Sequence, residues 1–165
     1  MGPKQVGLLY VRQENIAQLW PSIVPVGWNQ DAMNTKIASK KFETLGQRDD
    51  AGLAAIGIAI DFHRMMGFSN VEARTTELAT ALKAGLSKIN RVKLVTPVDP
   101  VQSGGVVISQ IADLDRPKMS ALVKDLYENY GIAAAATGGL RLSPHVYNTM
   151  ADVELAIRGV KELVG

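Results

Sequence analysis

The stretch Ile132-Ala-Ala-Ala-Ala-Thr137-Gly-Gly-Leu-Arg141-Leu-Ser143-Pro-His-Val-Tyr-Asn-Thr149 decides how this chain is read. A small, apolar run at 132–136 meets a Gly-Gly pair, and a second short run follows at 140–143. Two apolar runs around paired glycines predict a β-hairpin, because tight turns need backbone angles that glycine adopts without steric cost. The second strand carries one arginine, Arg141, and then a dense polar segment leads into a helix. A guanidinium on a rigid strand is a planar, always-charged fork that suits a carboxylate through two parallel hydrogen bonds. The plainer reading is a solvated arginine at a strand end.

Outward from that hairpin, the elements predicted from residue 70 onward are helix, strand, strand, helix, strand, strand, helix. Asn70 is the start signal of a helix through residue 89, with Leu78, Ala81, Leu82 and Leu86 as its core stripe and its charges on the other face. Strands are expected at 93–96 and 106–111, joined by a turn-rich connection with Pro97, Pro100 and Gly104-Gly105. Pro117 suits the first turn of a helix closed by Gly131, and a last helix is expected over 150–163. This order specifies an α/β fold of the α+β kind, a two-layer domain with a sheet and helices gathered on one face.

Residues 1–66 do not make a domain by themselves. The apolar run Val6 to Val11 reads as a buried strand that needs neighbours from elsewhere. Residues 20–41 read as a long loop with one short turn. Asp49 or Asp50 caps a helix ending near Met66, stopped by Gly67. Its apolar positions go nearly all round, which predicts a well-buried helix.

Composition bounds the function. The 165 residues carry a net charge of +2, with basic residues spread out, so no phosphate-binding stripe for nucleic acid is present. There is no cysteine, which excludes disulfides, thiolate catalysis and cysteine-zinc sites within this chain and suits a reducing cytoplasm. The longest apolar run, 51–60, is half the length needed to span a bilayer. The two histidines, His63 and His145, lack carboxylate help at matched spacing, so no metal site is expected.

Three blocks carry a resemblance to a known family. They are Gly2-Pro3-Lys4 with the Val-Gly-Leu-Leu-Tyr-Val-Arg that follows Gln5, then Phe42-Glu43-Thr44-Leu45-Gly46-Gln47-Arg48-Asp49, and finally the segment from Leu140 to Thr149. In this order and spacing the chain resembles the C-terminal part of a class V aminotransferase. That is a fold-type I pyridoxal phosphate enzyme, of the isopenicillin N epimerase-like and cysteine desulfurase-like branch. The resemblance covers essentially the whole chain. It implies that 1–66 is the tail of a large cofactor domain and 67–165 the C-terminal small domain.

It implies further that Arg141 binds the α-carboxylate of a small amino-acid substrate. Ser143 either braces that arginine or turns the chain, and Asn148 either donates toward the site or begins the last helix. Gly46 and Gln47 match a Gly-Thr pair that reaches the cofactor phosphate across a dimer interface, with the longer Gln in place of Thr. The family's Schiff-base lysine precedes the Gly-Pro-Lys block, where this sequence starts, and Lys4 reads as a surface or neighbouring lysine rather than a substitute. The implied cofactor is therefore pyridoxal phosphate in the complete enzyme, with none expected on this chain, no catalytic residue assigned and no turnover. The expected partner is a second copy, as a homodimer or higher oligomer. A contrasting reading is a stand-alone, non-catalytic oligomerisation or binding module derived from the same family.

Overall fold

The computed structural model describes residues 2–4, 6–23, 41–43 and 49–165. They fall into two compact units, Met1–Met65 and Met66–Gly165.

The second unit holds a four-stranded sheet and three α-helices, with a short 3-10 turn at Pro100–Gln102. The helices are α3 (Phe68–Leu86), α4 (Arg116–Tyr130) and α5 (Met150–Val164), and the strands are β1 (Val92–Leu94), β2 (Val107–Ile111), β3 (Ala135–Ala136) and β4 (Leu140–Leu142). The strand order is β1-β2-β4-β3 and every pairing is antiparallel. Strand alternation sorts the two faces. Val92, Val107, Ser109, Ile111, Leu140 and Leu142 are buried, whereas Lys93, Gln110 and Arg141 between them are exposed. All three helices cover the buried face, where Leu78, Leu82 and Leu86 of α3 meet Leu126 of α4 and Val153 and Val160 of α5. The α+β fold class expected from the sequence is the observed one, with helices on one face of the sheet.

The ends of these elements follow local chemistry. Asp115 accepts a hydrogen bond from the Lys118 amide and starts α4, with Pro117 in the first turn. Gly131, with φ of 67°, lets the amides of residues 131 and 132 turn back onto the carbonyls of Tyr127 and Leu126. Helix α3 begins at Phe68, two residues before the expected start. Asn70 is inside it and donates back to the Met66 carbonyl at 2.8 Å. Arg91 closes the far side of the unit by donating to Val164 O and Ala112 O.

The first unit contains a short helix, α1 (Gln13–Ile16), and most of α2 (Asp50–Met66). Two expectations are corrected here. Residues 6–11 form no strand: Leu8, Leu9 and Tyr10 are 78%, 77% and 85% exposed, because no described strand lies beside them to accept their backbone groups. Helix α2 has the expected limits, and the Asp49 carboxylate caps it through the Gly52 amide, but none of its residues is buried. An apolar surface right round a helix states a requirement for neighbours; it does not supply them. Most of the long loop expected at 20–41 lies outside the described residues.

One buried group stands out energetically. The Ser109 hydroxyl is fully enclosed on the core face of β2 and has no hydrogen-bond partner. An unmade buried hydrogen bond costs about 1–3 kcal/mol. Ser109→Ala is therefore expected to leave stability unchanged or raise it by about 1 kcal/mol, read as a higher urea midpoint with an unchanged slope.

Candidate functional site

The candidate site is built on β4. Leu140 and Leu142 point into the core at 0% and 4% exposure, so alternation turns Arg141 out onto the open face of the sheet. Across the ladder Arg141 faces Ile108 on β2 and Ala135 on β3. Directly paired residues share a face, so the open side presents Arg141 between an aliphatic side chain and a methyl group. Lys93 and Gln110 form the neighbouring pair on that same side. Among the described residues the Arg141 side chain has no ion-pair or hydrogen-bond partner. Its backbone is fixed on both sides while its guanidinium is uncommitted. That arrangement can grip a planar anion without first breaking an existing bond.

The hairpin loop sets this geometry. Gly138 and Gly139 have φ of 71° and 128°, as the paired glycines anticipated. A Cβ on Gly139 would stand 2.4 Å from the Ser109 carbonyl oxygen, so backbone from β2 closes tightly over the turn.

Ser143 and Asn148 sit elsewhere in the same unit. They line one hollow of about 330 Å³ together with Tyr130, Tyr147 and Asp152, and Arg141 does not line it. Ser143 is exposed just past the end of β4. The Asn148 side chain is engaged locally: Oδ1 accepts from the His145 amide at 2.8 Å and Nδ2 donates to Asp152 at 3.3 Å. Its carbonyl accepts from Arg74 of α3 at 2.8 Å. Asn148 thus shapes the turn before α5. The cap itself is Thr149, one residue on, in a reciprocal capping box with Asp152.

Asp152 carries a pH signature. The Thr149 backbone amide first, and the Asn148 amide second, hold its carboxyl below the usual carboxylate range. A depressed folded-state value contributes stability that is fully present above the unfolded value, near about 3.9, and is lost as pH falls through the folded one. Asp152→Asn is expected to flatten that part of the acid-unfolding curve and to leave its shape above neutrality unchanged. Full exposure keeps the effect small.

Gly46 and Gln47 lie outside the described residues. Lys4 is exposed in a turn. His145 stacks on Tyr147 with centroids 4.4 Å apart. Among the described residues no group of three or more His, Asp or Glu side chains is placed to hold a metal ion, and no helix is long and apolar enough to cross a membrane.

Two engaged cations were not anticipated from the sequence. Arg74 ties α3 to the turn before α5, and Lys83 is buried at 1% exposure on the core side of α3. The expectation that α3 keeps its charges on the outer face fails at Lys83, because its ammonium finds three oxygen acceptors inside.

The Aminotransferase class-V family profile matches residues 1–156. The chain belongs to that family. Aminotransferase class-V enzymes depend on pyridoxal phosphate. Among curated relatives, the isopenicillin N epimerase of Amycolatopsis lactamdurans is 28% identical over 99% of this chain and 44% of its own length. A probable cysteine desulfurase of Mycobacterium leprae is 26% identical over 97% of this chain and 41% of its own. Among solved structures, the cysteine desulfurase CsdA of Escherichia coli superposes with a TM-score of 0.71. It is 23% identical and aligns over 99% of this chain and 44% of its own. A C-DES variant with glycine covalently linked to the PLP cofactor superposes at 0.67, with 17% identity, over 91% of this chain and 40% of its own. The chain therefore spans a little under half the length of the relatives it matches.

The family's cofactor is held through a Schiff base to a lysine. None of three hollows among the described residues is lined by a lysine.

Proposed function

We propose that this chain supplies the substrate-carboxylate grip of a pyridoxal phosphate-dependent enzyme acting on a small amino acid. The observation that supports it is Arg141, an uncommitted guanidinium on a doubly anchored strand, set between Ile108 and Ala135 on an open sheet face. Its work is orientation. A two-point bond to the α-carboxylate fixes how the Cα substituents are presented, which favours one bond for cleavage over another. When bound, the cofactor supplies the electron sink.

Transamination, epimerisation at Cα and carbon–sulfur cleavage all use the same grip. The chain has no cysteine, so it carries no thiolate of its own to receive sulfur. Gly46 and Gln47 remain the proposed contacts to the cofactor phosphate. Ser143 is proposed to turn the chain just past the strand that carries the grip, and Asn148 to hold the adjoining turn. A cytoplasmic setting fits the absence of cysteine.

The test is substrate discrimination in the complete enzyme. It should process an amino acid far better than the amine that lacks only the carboxylate. Equal rates on both would sink the proposal.

A second reading, self-association, is favoured by the exposed apolar side chains of the first unit. Ile58 and Met65 of α2 are 74% and 79% exposed, beside the exposed Leu8, Leu9 and Tyr10 of the same unit. Apolar surface on this scale marks an interaction face. Sedimentation velocity across a concentration series should show a dimer or higher species, and a monomer throughout would count against this reading.

A further inference from the structure

The connection between β1 and β2, residues 95–106, is folded around a buried cation. Lys83 leaves α3 beside Leu82, and its Nζ donates to Pro97 O at 3.0 Å, Val98 O at 2.8 Å and Ser103 Oγ at 2.7 Å. An ammonium has three N–H donors, so all three are used. The acceptors are themselves tied together. Ser103 Oγ donates to Asp99 O at 2.9 Å, Gln102 N donates to the same carbonyl at 3.1 Å, and Val101 N donates to Asp99 Oδ1 at 2.9 Å. Among the described residues Lys83 has no carboxylate partner. Its charge is met entirely by two carbonyls and a hydroxyl.

Burying an ammonium costs several kcal/mol unless its donors are satisfied. A leucine or methionine would fill the same space beside Leu82 and Leu86 without that cost. The three oxygens around Nζ, at 2.7–3.0 Å, match the three N–H donors of an ammonium.

We propose that residues 97–103 form an oxygen cage for an ammonium-type cation, filled from within by Lys83, and that this cation sets the shape of the β1–β2 connection. Lys83 is then a positioning residue. It holds Val98 and Val101 outward, at 67% and 91% exposure, and it fixes the approach to Val107, which pairs with Leu142 next to Arg141. The proposal does not depend on the function argued above.

Nuclear magnetic resonance on the whole 165-residue chain tests it. In the wild type, the Lys83 ammonium protons should be visible and slow to exchange, in contrast to those of exposed Lys124. Exchange as fast as that of Lys124 overturns the proposal. Lys83→Ala should speed exchange of the Gln102 amide by roughly tenfold, about the worth of one charge-assisted hydrogen bond. Added methylammonium chloride should restore protection saturably, whereas tetramethylammonium chloride, which has no N–H and is larger, should not. Lys83→Met keeps the bulk and removes the donors, so it should lose protection as well. Full protection in Lys83→Met, or equal effects of the two salts, would show that Lys83 acts by packing alone.

Discussion

In the complete enzyme, Arg141→Ala should lower kcat/KM for an amino-acid substrate by about 10²–10³-fold while leaving the fold in place. The magnitude follows from removing one partner of a charge-assisted pair that the bound substrate would shield from water, a loss of about 3–4 kcal/mol. Stability should hardly change, because Arg141 is exposed and has no partner among the described residues whose loss would be felt. Arg141→Lys keeps the charge and loses the planar fork, so it should recover only part of the activity. The control is the amine without a carboxylate. Its slow turnover should be the same in wild type and Arg141→Ala, since neither makes the bond in question. A loss of equal size on amino acid and amine would mean that Arg141 serves the structure and not the substrate.

Gly139→Ala is the substitution expected to cost most in stability. Two penalties coincide there. The φ of 128° is strained for any residue with a side chain, at about 1–3 kcal/mol. The new methyl would also meet the Ser109 carbonyl oxygen at 2.4 Å, and that oxygen belongs to backbone that cannot swing aside. Ser109 is paired with Leu140 in the β2–β4 ladder, so relief means opening the ladder itself. A total of about 3 kcal/mol or more is expected, lowering the melting temperature by roughly 10 °C. Scanning calorimetry checks the stability. The Arg141 backbone amide resonance, two residues away, should shift with it. A melting temperature within a degree or two of wild type would show that the turn relaxes freely.

These two residues show what a sequence makes legible. The hairpin could be read because Gly138-Gly139 solves a local backbone problem that few other residues solve, and the structure needs both glycines at positive φ. Helices α4 and α5 were readable for a similar reason: Pro117, Gly131 and the apolar spacing of α5 act within a turn or two of chain. Arg141 was legible as an arginine on a strand, and alternation then dictated its outward face.

Burial over long distances was not readable. The run Val6 to Val11 has the composition of a core strand, yet composition cannot provide the ladder partners it needs. Helix α2 is the same case in helical form. Lys83 is the converse. Its position beside Leu82 was visible, but its acceptors come from a loop 14 to 20 residues away whose path no local rule predicts. Asn148 and Thr149 both carry capping side chains, and only the surrounding bonds to His145, Asp152 and Arg74 separate the turn residue from the cap.

The strand order has a kinetic corollary. β1 with β2, and β3 with β4, are two hairpins whose partners are near neighbours in sequence. The β2–β4 seam alone joins the halves, through pairs such as Val107 with Leu142, and all of α4 lies between those strands in the chain. Closing a loop of that length costs entropy before any contact repays it. The hairpins are therefore expected to form early and the seam late, so that the strand carrying Arg141 gains its β2 neighbour last.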